Sequence, residues 1–166
     1  LDPSDVSVKL AGAGGDGAQT AALLITKAAI NEGFDATHIP SYGPESRGGT
    51  SYADVRVAER EVLSPDVPDP HVLVAFNAPS LAKFGPAVAP GGLVLYDASV
   101  IREAPALDPA VSVLPVPCTE LARELGQPLV KNVVALGALQ AATGILPEAS
   151  LLAAMFSGML AGNRWS

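Results

Sequence analysis

Val6-Ser7-Val8-Lys9-Leu10-Ala11-Gly12-Ala13-Gly14-Gly15-Asp16-Gly17 is the stretch that decides the fold. Its first half alternates polar and apolar residues, the period of a strand. Its second half is a run of glycines, which reach backbone angles that side chains resist. Ala18–Asn31 follows with good helix formers, apolar at Leu23, Leu24, Ala28 and Ile30, and Gly33 closes it. Strand, glycine turn and helix together open an α/β unit.

Working outward, Ala36–Pro40 reads as a second strand and Ser41–Gly49 as a turn-rich loop. Tyr52–Val57 alternates again, and Glu61–Pro65 follows a charged turn, so the pair reads as an antiparallel hairpin inserted in the sheet. Val67–His71 reads as a connector. Val72–Phe76 is a continuous apolar run, expected of a parallel strand buried on both faces. A short helix is expected at Ser80–Phe84 with Ser80 as N-cap. Strands are expected at Leu93–Tyr96 and Val111–Val116. Helices are expected at Thr119–Leu125, capped by Thr119 and stopped by Gly126, at Pro128–Thr143 and at Glu148–Leu160. The expected fold is α/β: a Rossmann-like single domain over residues 1–166, its sheet mostly parallel with an inserted hairpin and helices on both faces.

The size allows this, because 166 residues suffice for one domain with a real core. Ten Lys and Arg stand against 17 Asp and Glu, a net charge of −7. That balance argues against nucleic acid and anionic membrane as partners, since a phosphate-tracking surface needs clustered cations. Charged residues are only 16% and mean hydropathy is +0.34. Such an apolar surplus predicts that part of the surface meets another chain.

The longest charge-free stretches, Asn132–Pro147 and Ala149–Asn163, are 16 and 15 residues, too short for a spanning helix. Leu1–Asp5 has neither the basic nor the apolar region of a signal peptide, although a start at Leu1 leaves room for an upstream segment. Cys118 is the single cysteine, so no internal disulfide, iron–sulfur cluster or cysteine-rich zinc site is expected from this chain alone. A cytoplasmic location is the expectation.

Two constellations carry chemistry. Gly12, Gly14 and Gly17 fit G-x-G-x-x-G between a strand and a helix, with Gly15 inside it. Such a turn aims backbone N–H groups at an anion, so it reads as a phosphate or dinucleotide site, or as a tight turn that merely needs glycine. The second strand supplies no acidic residue at its end for a ribose, and Asp16 places a negative charge where a phosphate would lie. The other constellation is Ser41–Thr50, which gathers Tyr42, Glu45, Arg47, Gly48 and Gly49. It should share the rim of the sheet with the glycine turn. Arg47 there could clamp a carboxylate or phosphate, or pair with Glu45 in a loop that packs on a partner. His38 and His71 lack ligand spacing and read as solvated or core residues. Cys118 at a helix start reads as a packing residue, or as a thiol of lowered pKa.

These two segments, with Asn77-Ala78-Pro79-Ser80-Leu81-Ala82-Lys83-Phe84, Pro90-Gly91-Gly92, Thr119-Glu120-Leu121-Ala122 and Asn132–Ala138, closely resemble the gamma subunit or gamma domain of the 2-oxoacid:ferredoxin oxidoreductases. The likeness runs from about Val8 to Gly158. Pro79–Leu81 and Lys83-Phe84 look most like the 2-oxoglutarate and general 2-oxoacid branch; Asp16 stands where the family often has glutamine.

The resemblance implies a subunit that is inactive alone, in a complex that decarboxylates a 2-oxoacid oxidatively, forms acyl-coenzyme A and reduces ferredoxin. Thiamine diphosphate, magnesium and iron–sulfur clusters would sit on alpha, beta and delta-type partners, with coenzyme A as co-substrate and none of the cofactors bound by this chain alone. It further implies that Gly12, Gly14, Gly15, Gly17, Tyr42, Glu45, Arg47, Gly48, Gly49 and Asn77 face a partner or coenzyme A. A stand-alone nucleotide- or coenzyme-A-binding module and a purely architectural subunit are the alternatives.

Overall fold

A computed structural model of the chain describes residues 5–14, 16–41, 50–59, 69–103, 105–127 and 130–160. In chain order these form β1 (Asp5–Gly12), α1 (Ala18–Asn31), β2 (Asp35–Ser41), β3 (Ser51–Ala58), β4 (Val72–Ala75), α2 (Ala78–Phe84), β5 (Leu93–Asp97), β6 (Ser112–Val116), α3 (Cys118–Glu124), α4 (Lys131–Thr143) and α5 (Glu148–Leu160). The sheet order is β2-β3-β1-β4-β5-β6. β1, β4, β5 and β6 run parallel, while β3 runs against β1 on one side and β2 on the other. The expected α/β fold with a largely parallel sheet is therefore present.

The antiparallel element is arranged differently from the expected hairpin. Both edges of β3 are occupied, by β1 (Val8 opposite Val55) and by β2 (His38 opposite Val55). Glu61–Pro65 lies outside the described residues. Both prolines within strands, Pro40 and Pro115, fall on the edge strands β2 and β6, where a missing N–H interrupts no central ladder.

Period-two alternation sorts the sheet into two faces. Val6, Val8 and Leu10 of β1, Ala53, Val55 and Val57 of β3, and Val72 and Val74 of β4 pack with α1, α4 and α5. Leu73 and Ala75 of β4 and Val94 and Tyr96 of β5 pack on the opposite side with Leu81, Val88, Ile101 and Val111. Helices thus cover both faces. Each fully buried valine or leucine here contributes about 1.5–3 kcal/mol.

The second face of β1 and β3 is polar yet buried. Lys9 stands opposite Asp54 in register, its Nζ 3.0 Å from Oδ1 and 3.4 Å from Oδ2. The ammonium also lies 4.5 Å from the Tyr52 ring centroid and 4.6 Å from that of Phe84. A buried charge needs such company, and here carboxylate and ring faces supply it. Beside it, the Ser7 N–H donates to His71 Nδ1 at 3.0 Å, so that nitrogen carries no proton. His71, expected to be solvated or core, ties β1 to the start of β4.

Two helix starts differ from the sequence expectation. Asn77, not Ser80, caps α2: its Oδ1 accepts the Ser80 N–H at 2.9 Å. Asn77 thereby satisfies the N–H of Ser80, the third residue of the helix, whereas a Ser80 cap would have served an N–H two or three residues further on. α3 begins at Cys118 behind Pro117, and Thr119 lies inside it because its hydroxyl donates to Asp97 instead. Among helix ends, Gly33, Gly126 and Gly144 all take positive φ, as expected for stops. Residues 128–129 of the expected fourth helix lie outside the described residues; the described helix starts at Lys131. No helix is long and apolar enough to cross a membrane among the described residues.

Candidate functional site

The C-terminal ends of β1, β4 and β5 form one rim. β1 leads into α1 on one face and β4 into α2 on the other. The crevice between them is where the connections part, the place at which open α/β sheets take ligands. Gly12–Gly14 and Asp16-Gly17 line one side and Phe76–Asn77 the other. The two backbones approach so closely that a Cβ at Gly12 would lie 3.0 Å from Phe76 Cβ.

The turn itself is organised by Asp16. The Asp16 N–H donates to Ala13 O at 3.0 Å, which closes the turn. Its Oδ2 accepts the Ala13 N–H at 2.7 Å. Its Oδ1 is paired with Lys131 Nζ, the first residue of α4. The two side chains are 12% and 19% exposed, so solvent screens the pair much less than at an open surface. Neither α1 nor α4 has a side-chain cap at its N-terminus. The two ends meet at Asn132, whose Nδ2 donates to Gly17 O at 3.3 Å.

Of the expected site residues, Gly12, Gly14 and Gly17 belong to the β1–α1 turn, and Asn77 follows Phe76, which Gly12 approaches. Gly14 is exposed, and a Cβ there would meet nothing within 4 Å among the described residues. Gly15, Tyr42, Glu45, Arg47, Gly48 and Gly49 lie outside the described residues. The strand ends that flank the second loop do reach the rim: Ser51 pairs with Gly12, and Ser41 with Tyr52. Gln19 Nε2 fastens that corner by donating to Ser51 Oγ at 3.2 Å and to Tyr52 O at 2.8 Å.

Sequence reasoning missed Lys131 and Asp97. Lys131 lies 115 positions from its partner, so no local pattern announces it. Asp97 ends β5 fully buried and accepts three hydrogen bonds: from Ser99 N–H at 3.0 Å, Thr119 N–H at 3.3 Å and the Thr119 hydroxyl at 2.6 Å. It fastens α3 to the sheet. The adjacent Cys118 is fully buried, and its thiol is pushed up to about 12, by burial first and by the Asp97 charge second. Its own backbone hydrogen bond and Lys131 act the other way and are outweighed. A lowered pKa at the helix start is thereby corrected, because desolvation exceeds what the helix end offers. No three His, Cys, Asp or Glu side chains come together to hold a metal ion among the described residues. Among the described residues, the rim presents close-approach glycines and the Asp16–Lys131 pair.

Residues 7–160 match the family model described as pyruvate ferredoxin/flavodoxin oxidoreductase. The chain is 42% identical over 137 residues to ketoisovalerate oxidoreductase subunit VorA of Methanothermobacter thermautotrophicus, covering 82% of this chain and 28% of that protein. It is 36% identical over 147 residues to 2-oxoglutarate synthase subunit KorC of Archaeoglobus fulgidus, covering 88% of this chain and 75% of that one. The chain thus spans little more than a quarter of the VorA subunit it matches. Among solved structures, the gamma subunit of a keto/oxoacid ferredoxin oxidoreductase from Geobacter sulfurreducens superposes with a TM-score of 0.79 at 28% identity, over 92% of this chain and 85% of that chain.

Proposed function

Since this chain belongs to the pyruvate ferredoxin/flavodoxin oxidoreductase family, we propose that it is the gamma-type part of a 2-oxoacid:ferredoxin oxidoreductase and works only with its partners. The observation that carries this reading is the KorC match, which covers most of both chains. Alpha, beta and delta-type parts would hold thiamine diphosphate, magnesium and iron–sulfur clusters. Those cofactors supply the decarboxylation and the electron path to ferredoxin. This chain would contribute assembly and, along the rim, a contact surface for coenzyme A or for the catalytic parts. Gly12, Gly14, Gly15, Gly17 and Asn77 are the proposed crevice positions, and Tyr42, Glu45, Arg47, Gly48 and Gly49 the proposed loop positions.

We take 2-oxoglutarate as the leading substrate. Ketoisovalerate is a second reading, favoured by the higher identity to VorA. The test is a tagged purification from the native host, with mass spectrometry of the co-purifying chains and 2-oxoacid-dependent dye reduction. Thiamine- and cluster-binding partners with 2-oxoglutarate activity are expected. Recovery of this chain alone, without activity, would leave a stand-alone binding module. Arg47→Ala in the complex separates roles: weaker coenzyme A binding with intact assembly marks a ligand contact, and lost assembly an architectural one.

A further inference from the structure

We propose that the void framed by β1, α1, α4 and α5 is a binding site for a small apolar molecule, and that its occupant braces α5 against the rest of the domain. Val8 lines it from the sheet, Ile25 from α1 and Leu139 from α4. Ile145 and Leu146, between α4 and α5, and Leu151 of α5 complete the lining. All six side chains are buried, none more than 7% exposed. About 20 Å³ is open to the centre of a water-sized sphere, where one water needs about 10–15 Å³. Xenon, or a hydrocarbon of about two or three carbon atoms, matches that space.

The lining selects against water, which needs about two to four polar partners when buried. Among the described residues no polar surface faces the void. Gln140 is the polar residue beside it, and its Oε1 already accepts the Leu146 N–H at 3.2 Å. An apolar guest meets dispersion contacts instead. Polar ties hold the frame, so the walls do not collapse onto one another. Gly144 ends α4 at φ +59°, and the Gln140–Leu146 bond fixes the connector beyond it. The Thr143 hydroxyl donates to Leu139 O at 2.6 Å. The Ser150 hydroxyl donates to Glu32, which joins the start of α5 to the end of α1. α5 is thereby anchored at its first turn, with a gap beside Leu151. A guest held only by the folded chain supplies the missing contacts and raises stability.

The site belongs to this chain alone, so its test is independent of the assembly reading. Methyl carbon–proton spectra of the full chain are recorded under rising xenon pressure. Wild type is compared with Val8→Ile and Ile145→Phe, which add carbon to the lining. Circular dichroism checks that each variant is folded. Saturable shifts are expected at the Leu139, Ile145 and Leu151 methyls, with a melting temperature that rises with xenon pressure. Each folded filling variant should bind xenon at least about tenfold more weakly. Where neither variant folds, the map of wild-type shifts decides by itself. Three results overturn the proposal: no saturable shift at these methyls, saturable shifts centred elsewhere, or a folded filling variant that binds xenon as tightly as wild type.

Discussion

Asn132 fills the space that a side chain at Gly17 would need. Its Nδ2 donates to Gly17 O at 3.3 Å, and a Cβ at Gly17 would lie 2.7 Å from that nitrogen. Gly17 also sits at φ +81°, so both its backbone and its neighbour demand glycine. Gly17→Ala should cost about 2–4 kcal/mol, combining the left-handed penalty with overpacking. Asn132→Ala should cost about 1–3 kcal/mol by itself. The double variant should be more stable than the two separate losses add up to, because Asn132→Ala removes the obstruction. Urea unfolding of all three variants checks this.

The Lys9–Asp54 pair makes a second prediction. Asp54→Ala leaves a buried ammonium without its carboxylate, beside the Tyr52 and Phe84 rings, and should cost about 3–5 kcal/mol. Replacing both, Lys9→Met with Asp54→Leu, should return to within about 1 kcal/mol of the parent or exceed it. A double variant as unstable as Asp54→Ala would show that the pair specifies this face rather than merely compensating itself.

Much of the architecture is legible in the sequence because local patterns carry it. Val72–Ala75 is buried throughout and its apolar run says so, while the glycine turn announces both β1 and α1. The alternation of Tyr52–Val57 marks a strand with one polar face. It says nothing of which strand lies beside it, and β3 sits between β1 and β2. The cap of α2 is ambiguous for a local reason: the side-chain oxygens of Asn77 and Ser80 can each accept an N–H at a helix start. The ties that organise the rim, Asp16 to Lys131 and Gly17 to Asn132, each span 115 positions. Only the fold brings their ends together.

His38 gives a pH dependence. It stands on β2 opposite Val55, its Nε2 is buried without a hydrogen-bond partner among the described residues, and burial holds its pKa below 6.5. Well above 6.5 the ring is neutral in both the folded and the unfolded chain, so it adds no pH dependence there. As pH falls through that value the unfolded chain takes up a proton that the folded chain resists, so stability drops. The loss levels off once the folded form is protonated too. Denaturant unfolding of wild type and His38→Gln at about pH 7.5 and about pH 5.5 isolates the effect; the variant should lose less.

Cys118 should be inert in the native state. It is fully buried with its thiol raised to about 12, so little thiolate exists and reagent cannot reach it. Iodoacetamide labelling at neutral pH should proceed only through unfolding and accelerate sharply in denaturant. Rapid labelling of the native chain would contradict this burial.

The position of β1 has a consequence for the order of events during synthesis. It is made before both of its neighbours, yet it lies between β3, at residues 51–58, and β4, at residues 72–75. Neither neighbour exists while β1 is emerging, so β1 must wait for two distant partners before its hydrogen bonds can close. Such long-range pairing is slow, and leaves an apolar strand open to association meanwhile. β5 and β6 then add outward, one after another. Chains ending before Val72 should leave the Lys9 amide, on the β4 side of β1, open to exchange, and chains extending through β5 should protect it.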